Sequence, residues 1–482
     1  MDWANDYDVV ASRAVEPFLY RAPHPENMVP MPFQHAAVEY RLGRKNGLYG
    51  DAPGLGKTAE CIMYANATGS RSNLAVVPAS LRGNWEREIW RWSTLENVST
   101  YPVYKAKDGV SLKHDWVIVS YDMLRNPGIL DALMDRKWDH LFLDEAHFLK
   151  DPGGNQRTKV ICAPDLLPSV VGDITMASGT ILPNQPKECY NACRLLDWSC
   201  IDKASLNDFI NYYYDKGEGF IRRMVVENGV RKSKVQFSTT VRNVPRNLDD
   251  LQWRLRKHIM VRRLKDQVLP QLPEKRWHPF PIEVNSAIRA ALKHPGWRQA
   301  ERFYEMDPHA FDAGIPVDGA ISTARRLLGE AKAPSVANYI DDLIDSGVGK
   351  LVVGAWHHSV LDYFQERLAK HGLVFMGAGM SPQKQQAAVD SFQHGPCKII
   401  LGQKKVMGLG HTLTAAQDVV DAEPDWVPGV NDQFLDRVHR IGQKGSYVIG
   451  HLPVVPNSLD ERILATAIEK DISIHNALDR LY

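Results

Sequence analysis

The sequence predicts an α/β protein with two parallel sheets, and three observations carry that prediction. Strand-length apolar runs alternate with longer amphipathic stretches, as when buried strands are joined by crossover helices. These runs fall into two groups separated by a stretch of different texture. A glycine-rich turn carrying a lysine and a threonine, GDAPGLGKT, leads straight into the good helix sequence AECIMYA, the setting in which parallel sheets hold phosphates.

In chain order, LAVV (74–77), WVIVS (116–120) and HLFLD (140–144) each read as a buried strand. A second series begins at KLVVGAW (350–356) and continues with KIILG (398–402) and SYVIGHLPV (446–454). Two series imply two sheets, with a boundary between about Asn243 and Val336. From about Lys187 to Pro334 the chain is rich in helical patterns, aromatics and basic residues, with few β runs. The expected division is an N-terminal extension (1–30), a first lobe (31–245) with a helical insertion from about 187, a basic helical crossing (246–334) and a second lobe (335–482).

A chain of 482 residues with 44% hydrophobic and 24% charged side chains has the composition of a soluble globular protein of two to four domains. Its 58 Lys and Arg balance 57 Asp and Glu, so overall charge points to no partner. Locally it does: from Phe220 to Lys275 there are 14 basic residues against five acidic ones. That surplus suits either a phosphate-binding surface or a solvated helical face, and its place between two lobes favours the first. The acidic start, MDWANDYDVV, lacks the features of a secretory signal. No apolar run approaches a membrane span. The six cysteines form no CxxC; Cys189, Cys193 and Cys200 share one helical face, a buried stripe rather than a zinc site. A reduced, cytoplasmic, non-secreted setting is expected.

The turn at 47–65 carries the chemistry. Gly54 and Gly56 let the backbone turn tightly and offer N–H groups to phosphate oxygens, Lys57 reaches the β- and γ-phosphates, and the Thr58 hydroxyl sits on Mg²⁺. Asp51 stands at the first glycine position of the usual pattern and is counted with the nucleotide-binding residues. LFLDEAH (141–147) supplies the other half: Asp144 at a strand tip to hold the metal, and Glu145 to orient and deprotonate the attacking water.

DEAH after GLGKT, followed by ASGTIL (177–182), resembles helicase superfamily two. The run DWVPGVNDQFLDRVHRIGQKGSYVIGHL (425–452) resembles the Swi/Snf-related ATPases, and GLGHTLTAAQDVVDAEPDW (408–426) is most similar to the branch containing the annealing helicases and their prokaryotic relatives. The resemblance spans about residues 30 to 470 and implies two RecA-like lobes with helical insertions between them. It implies ATP and Mg²⁺ as ligands. It places Gln34, beside Phe33, where adenine is read, and His147, Ser178, Gly179 and Thr180 where nucleotide state is coupled to lobe movement. It makes Arg437 and Arg440 arginine fingers with Gln433 in support, and gives residues 76–89 and 119–124 to DNA tracking. MVRRLKDQVLPQLPEK (260–275) resembles the basic crossing, with Arg262, Arg263 and Lys265 as nucleic-acid contacts.

The sequence departs from the family at Ala52 and Pro53, at Ile181 where a proline is usual, at Gln386 and at His411. None of these is a group that performs the chemistry. The reading is an ATP-driven translocase on duplex or forked DNA without sequence preference, remodelling DNA or protein–DNA complexes. One chain suffices for catalysis, and no membrane is involved. No separate targeting domain is expected, and the compactness suggests a bacterial (nucleoid-associated) or phage (host-cytoplasmic) protein. Two alternatives share the motifs: a helicase that separates DNA or RNA strands, and a motor that binds nucleic acid without catalysis. The DRVHRIGQ ending weighs against RNA.

Overall fold

The computed structural model describes all residues except 1–4, 152–154, 184, 204, 228–229, 299–319, 409 and 480–482, and for 218–243, 320–321 and 382 the backbone alone. It contains two compact units. The first comprises Met1–Tyr213, Asn247–Leu272 and Ile474–Tyr482, the second Tyr214–Arg246 and Pro273–Ser473.

The first unit is laid on β1 (Gly47–Tyr49), β2 (Asn73–Val77), β3 (Thr100–Pro102), β4 (Trp116–Ser120), β5 (Trp138–Asp144) and β6 (Val171–Ala177). After a hairpin of β7 (Tyr214–Glu227) and β8 (Val230–Pro245), the chain returns to this sheet with β9 (Met260–Val261). The strand order is β3-β4-β2-β5-β6-β1-β9, parallel throughout. Every residue of β2 and β4 is buried, because helices cover both faces of such a sheet and leave no polar side. The helix Arg82–Trp92 buries Trp85, Ile89 and Trp92, spacings of four and three that make one apolar stripe. They pack with Trp116 and Phe142 in the core.

The second unit contains β10 (Glu274–Pro281), β11 (Leu351–Ala355), β12 (Leu373–Met376), β13 (Ile399–Gln403), β14 (Asp418–Asp421) and β15 (Tyr447–Val454). Its order is β10-β15-β14-β11-β13-β12, again parallel. Leu351, Val353, Ala355, Ile399 and Leu401 face one core, and Val352, Ile400 and Val419 the other, so both faces are packed. Pro279 and Pro281 lie in β10 at the sheet edge, where a missing N–H breaks no ladder.

Two sequence expectations change. Residues 214–227 and 230–245, expected to be helical, pair as the antiparallel strands β7 and β8. Phe220, Ile221, Val225, Val226, Val235, Phe237 and Val241 favour extended backbone, a signal hidden by the interleaved basic residues. The side chains of Arg222, Arg223, Arg231, Lys232, Lys234 and Arg242 lie outside the described residues. The expected crossing 246–334 is not one element. Its helix Leu248–His258 and β9 belong to the first unit, β10 is an edge of the second sheet, and the helix Ala320–Asp345 runs through the expected boundary. No helix among the described residues is long and apolar enough to cross a membrane.

Candidate nucleotide site

Three neighbouring strands, β5, β6 and β1, bring the predicted site of the first unit together. Ala177 pairs with Asp144 on one side and with Tyr49 on the other. The loops that follow these residues therefore leave the sheet level with one another at its carboxyl edge, where α/β sheets bind ligands. With strands about 4.8 Å apart, the phosphate loop and the acid pair start about 10 Å from each other.

Gly54 and Gly56 both have φ +89°, a conformation that side-chain-bearing residues rarely adopt. A Cβ at Gly56 would collide with Gln34 Nε2. The helix Lys57–Thr68 starts at once, so its first N–H groups face the loop. Gln34 is buried and engaged at both ends, accepting from the Met31 N–H (2.9 Å) and donating to the Leu55 carbonyl (3.0 Å). Its amide holds the loop. Lys57 Nζ rests on the loop's own carbonyls, Asp51 O at 2.8 Å and Ala52 O at 3.3 Å. Burial lowers the lysine pKa, against the opposing pull of Glu145, Asp51, Glu60 and Asp144.

Asp51 and Arg263 need correction. Both are wholly buried. The Asp51 carboxylate accepts from the Arg263 backbone N–H (2.8 Å), from Nε (3.0 Å) and from Nη2. Arg263 also donates to Ala14 O (3.1 Å) and Phe33 O (2.9 Å), and its own carbonyl accepts from Ala52 N–H (3.0 Å). Asp51 thus ties the loop to the segment after β9 rather than presenting itself to phosphate, and Arg263 offers no charge to nucleic acid. Glu60, which sequence reading passed over, is buried beside this pair, 3.8 Å from Arg263 Nη2. Burial and the nearby Asp51 push its carboxyl well above the usual range.

Arg262 is corrected as well. It is buried, and its Nε and Nη2 grip both oxygens of Asp479 (2.6 and 2.8 Å) while Nη1 reaches Gly50 O (2.7 Å) and Gly179 O (3.2 Å). Lys265, at the first position of the short helix Lys265–Val268, is half-buried. The basic pattern of MVRRLK looked like a surface because sequence does not show buried acids arriving from elsewhere.

The acid pair is held by side chains from the two stretches expected to track DNA. Trp85 Nε1 donates to Asp144 Oδ2 (2.7 Å), and the Tyr121 hydroxyl donates to the Asp144 carbonyl (2.8 Å). Both residues are buried. The Glu145 N–H closes on Asp144 Oδ1 (2.9 Å). Burial and the neighbouring Glu145 push the Asp144 carboxyl up to about 6, against the Trp85 donor and Lys57. Glu145 has φ +51°, a left-handed conformation uncommon for a residue with a side chain and held here by its surroundings. His147 Nδ1 lies 3.2 Å from Glu145 Oε2 and 3.4 Å from the hydroxyls of both Ser178 and Thr180. The four residues expected to couple nucleotide state to movement thus meet beside Glu145, since Gly179 completes that turn. Pro53, a departure from the family, packs on Gly179: a Cβ there would stand 2.8 Å from the proline ring.

A hydroxyl at Thr58 and a carboxylate at Asp144 are the hard oxygen donors that Mg²⁺ takes. Asp144 is buried with mainly neutral donors around it and a raised pKa, an electrostatic deficit that a divalent cation would relieve.

In the second unit the helix Pro428–Leu435 leads into DRVHR. Arg437 is buried and donates from Nε to Gln433 O (2.9 Å), while its own carbonyl accepts from Leu413 N–H (2.8 Å). Arg440 Nη1 donates to His411 O (2.8 Å) and Thr412 Oγ1 (3.2 Å). His411, which interrupts the family pattern, therefore supplies a carbonyl that positions Arg440. Gln386 bonds Asp390 on its own helix (2.8 Å).

A glycine-bent loop opening a helix, level with two carboxylates on a parallel sheet, and a second parallel unit later in the chain, define a P-loop ATPase of the helicase-like class. Sequence comparison narrows that class. The SNF2-related domain family matches residues 33–307, more than half of the chain, and the helicase conserved C-terminal domain matches residues 336–442. The chain belongs to the SNF2-related family.

Among its relatives is the SWI/SNF-related matrix-associated actin-dependent regulator of chromatin subfamily A-like protein 1 of Xenopus tropicalis. That protein is 30% identical over 452 residues, covering 91% of this chain and 44% of the relative. The DNA annealing helicase and endonuclease ZRANB3 of Bos taurus is 28% identical over 440 residues, 88% of this chain and 38% of that protein. The chain spans less than half the length of these two relatives. The SWI2/SNF2 ATPase core of Sulfolobus solfataricus in complex with double-stranded DNA aligns at a TM-score of 0.42 and 18% identity, over 96% of this chain and all of that one.

Proposed function

We propose that the chain is an ATP-dependent motor that tracks along duplex DNA and remodels DNA or protein–DNA complexes. The observation that carries this reading is the juxtaposition in the first unit of Lys57, resting on exchangeable carbonyls, with the Asp144–Glu145 pair. In this reading Lys57 leaves Asp51 O and Ala52 O for the phosphate oxygens, joined by the N–H groups that open the helix at residue 57. Glu145 takes the proton of the attacking water, and the His147 contact fixes its carboxylate. Mg²⁺, held by Thr58 and Asp144, would neutralise charge on the β- and γ-phosphates. Arg437 and Arg440 supply positive charge to the transition state, as their DRVHR setting implies, with Gln433 holding Arg437. The His147–Ser178–Thr180 contacts make the SGT turn sensitive to what sits beside Glu145.

A relative described as a DNA annealing helicase supports the choice of DNA as partner. Binding through phosphates would be indifferent to sequence and sensitive to salt. Arg262 and Arg263, buried in ion pairs with Asp479 and Asp51, are not among those contacts. The test is ATP hydrolysis with no nucleic acid, single-stranded, duplex and forked DNA, and RNA, at two salt concentrations. Stimulation by duplex or forked DNA that fades at the higher salt is expected. Stimulation by RNA or single strands instead would replace the reading with a strand-separating helicase. No turnover under any condition would leave a nucleic-acid-binding protein without catalysis.

A further inference from the structure

Arg262 holds together two loops of the nucleotide site, and it is itself held by a residue from a distant part of the chain. Its Nη1 bonds Gly50 O, where the phosphate loop leaves β1, and Gly179 O, in the centre of the SGT turn after β6. A single guanidinium nitrogen therefore sets the spacing of these two backbones. The other two donors of the same group are taken up by Asp479, just past the helix Leu459–Leu478. A planar guanidinium gripped on both edges has little freedom to turn.

The surroundings of Asp479 add to this grip. Arg256 lies 3.7 Å from its carboxylate and donates to the neighbouring Leu478 O (2.8 Å) and to Arg262 O (3.1 Å). His475 lies 3.8 Å away on the preceding turn. Asp479, Arg256 and Arg262 are all buried, and a buried carboxylate between two buried guanidiniums is the acid that lets both stay charged. From Arg262 the path continues through short contacts: Gly179 is flanked by Ser178 and Thr180, both hydroxyls touch His147, and His147 touches Glu145.

We propose that Asp479 is a positioning residue for ATP turnover, acting through Arg262 to hold the SGT turn, and with it His147 and Glu145, in register with the phosphate loop. The inference rests on the ATPase reading above and deepens it: a residue remote in sequence sets the geometry of the step in which water attacks.

The test compares wild-type protein with Asp479→Asn, Arg262→Lys and the double variant. Each is assayed for binding stoichiometry with a fluorescent ADP analogue and for turnover per bound nucleotide. Asp479→Asn is expected to bind one nucleotide per chain with affinity within about threefold of wild type, while turnover falls at least fivefold. Arg262→Lys, which cannot span the carboxylate and two carbonyls, is expected to lose at least as much. If Asp479 acts only through Arg262, the double variant is no slower than Arg262→Lys alone. Should Asp479→Asn fail to fold, Asp479→Glu keeps the buried charge, displaces it by one methylene and carries the same expectation. Wild-type turnover per bound nucleotide in the Asp479 variant, or losses that multiply in the double variant, would overturn the proposal. A wild-type protein that binds the analogue but never turns over ATP overturns the ATPase reading instead, and the inference with it.

Discussion

Each unit places a lysine at the first position of a helix that follows a parallel strand: Lys57 after β1 and the phosphate loop, Lys404 directly after β13. Lys404 is fully buried, and its three acceptors are Asp421 Oδ2 (2.5 Å), Asn431 Oδ1 (2.9 Å) and Glu423 O (3.3 Å). Lys57 is half-buried, and among the described residues its ammonium bonds only carbonyls of its own loop. The carboxylates differ in the same way. Asp421 takes its cation from the protein, whereas Asp144 is held by Trp85 and a backbone N–H. Burial raises the pKa of both acids. One sheet end has closed its electrostatics internally. The other keeps a cation and an acid whose best partners are a phosphate and a metal.

The largest expected effect separates the two lysines by one substitution. Lys57→Met should lower ATP turnover by more than about 100-fold, since positioned charge on the transferring phosphate is lost. It should change unfolding free energy by no more than about 1 kcal/mol. Lys404→Met should do the reverse, destabilising by about 3–5 kcal/mol because Asp421 is left buried without its cation. Denaturant titrations and steady-state assays on both variants decide the matter, and equal stability losses would erase the distinction.

Next in size is Trp85→Phe, which replaces the indole by a smaller phenyl ring, deleting the donor to Asp144 and leaving a small cavity in the core. A hydrogen bond to a charged group is worth about 1.5–3 kcal/mol, so a loss of at least that size is expected, with a higher Mg²⁺ concentration needed for half-maximal turnover. An unchanged Mg²⁺ titration would mean that Trp85 serves only the core.

The smallest effect lies in the second unit, at Asp341. Burial pushes its carboxyl up, but His371 (2.6 Å), Lys370 (2.9 Å) and Arg367 (2.7 Å) outweigh burial and hold it at about 2. Because the folded pKa lies below the unfolded one, this carboxylate contributes stability above an unfolded pKa of about 3.9, lost as pH falls through about 2. Asp341→Asn should remove of order 1–2 kcal/mol at pH 6, allowing for partial exposure, and flatten the acid limb of stability against pH. An unchanged acid limb would assign acid sensitivity elsewhere.

Much of the site was legible because its chemistry is local. GLGKT and DEAH each put the required groups within a few residues at the end of an apolar strand, so spacing identified Lys57, Thr58, Asp144 and Glu145. What failed was long-range pairing. MVRRLK reads as a basic surface until Asp51, 212 residues away, closes on Arg263, and Asp479, 217 residues away, closes on Arg262. Trp85 and Tyr121 sit in the stretches that the resemblance gives to DNA tracking, and nothing in those stretches shows that their polar tips converge on Asp144. The hairpin was missed for a different reason: its apolar residues, Phe220, Ile221, Val225, Val226, Val235, Phe237 and Val241, keep neither the strict alternation of a strand nor the 3.6-residue period of a helix, and pairing across strands decided the matter.

By itself, the sequence determined the two parallel sheets, the phosphate loop and the acids that answer it. Strand periodicity, turn glycines and helix starts are properties of adjacent residues. Only the tertiary structure decided which charges are available for function and which are spent holding loops together. A charge's role depends on burial and on partners hundreds of residues away, and nothing in the local pattern of Arg262, Arg263 or Lys404 encodes those partners.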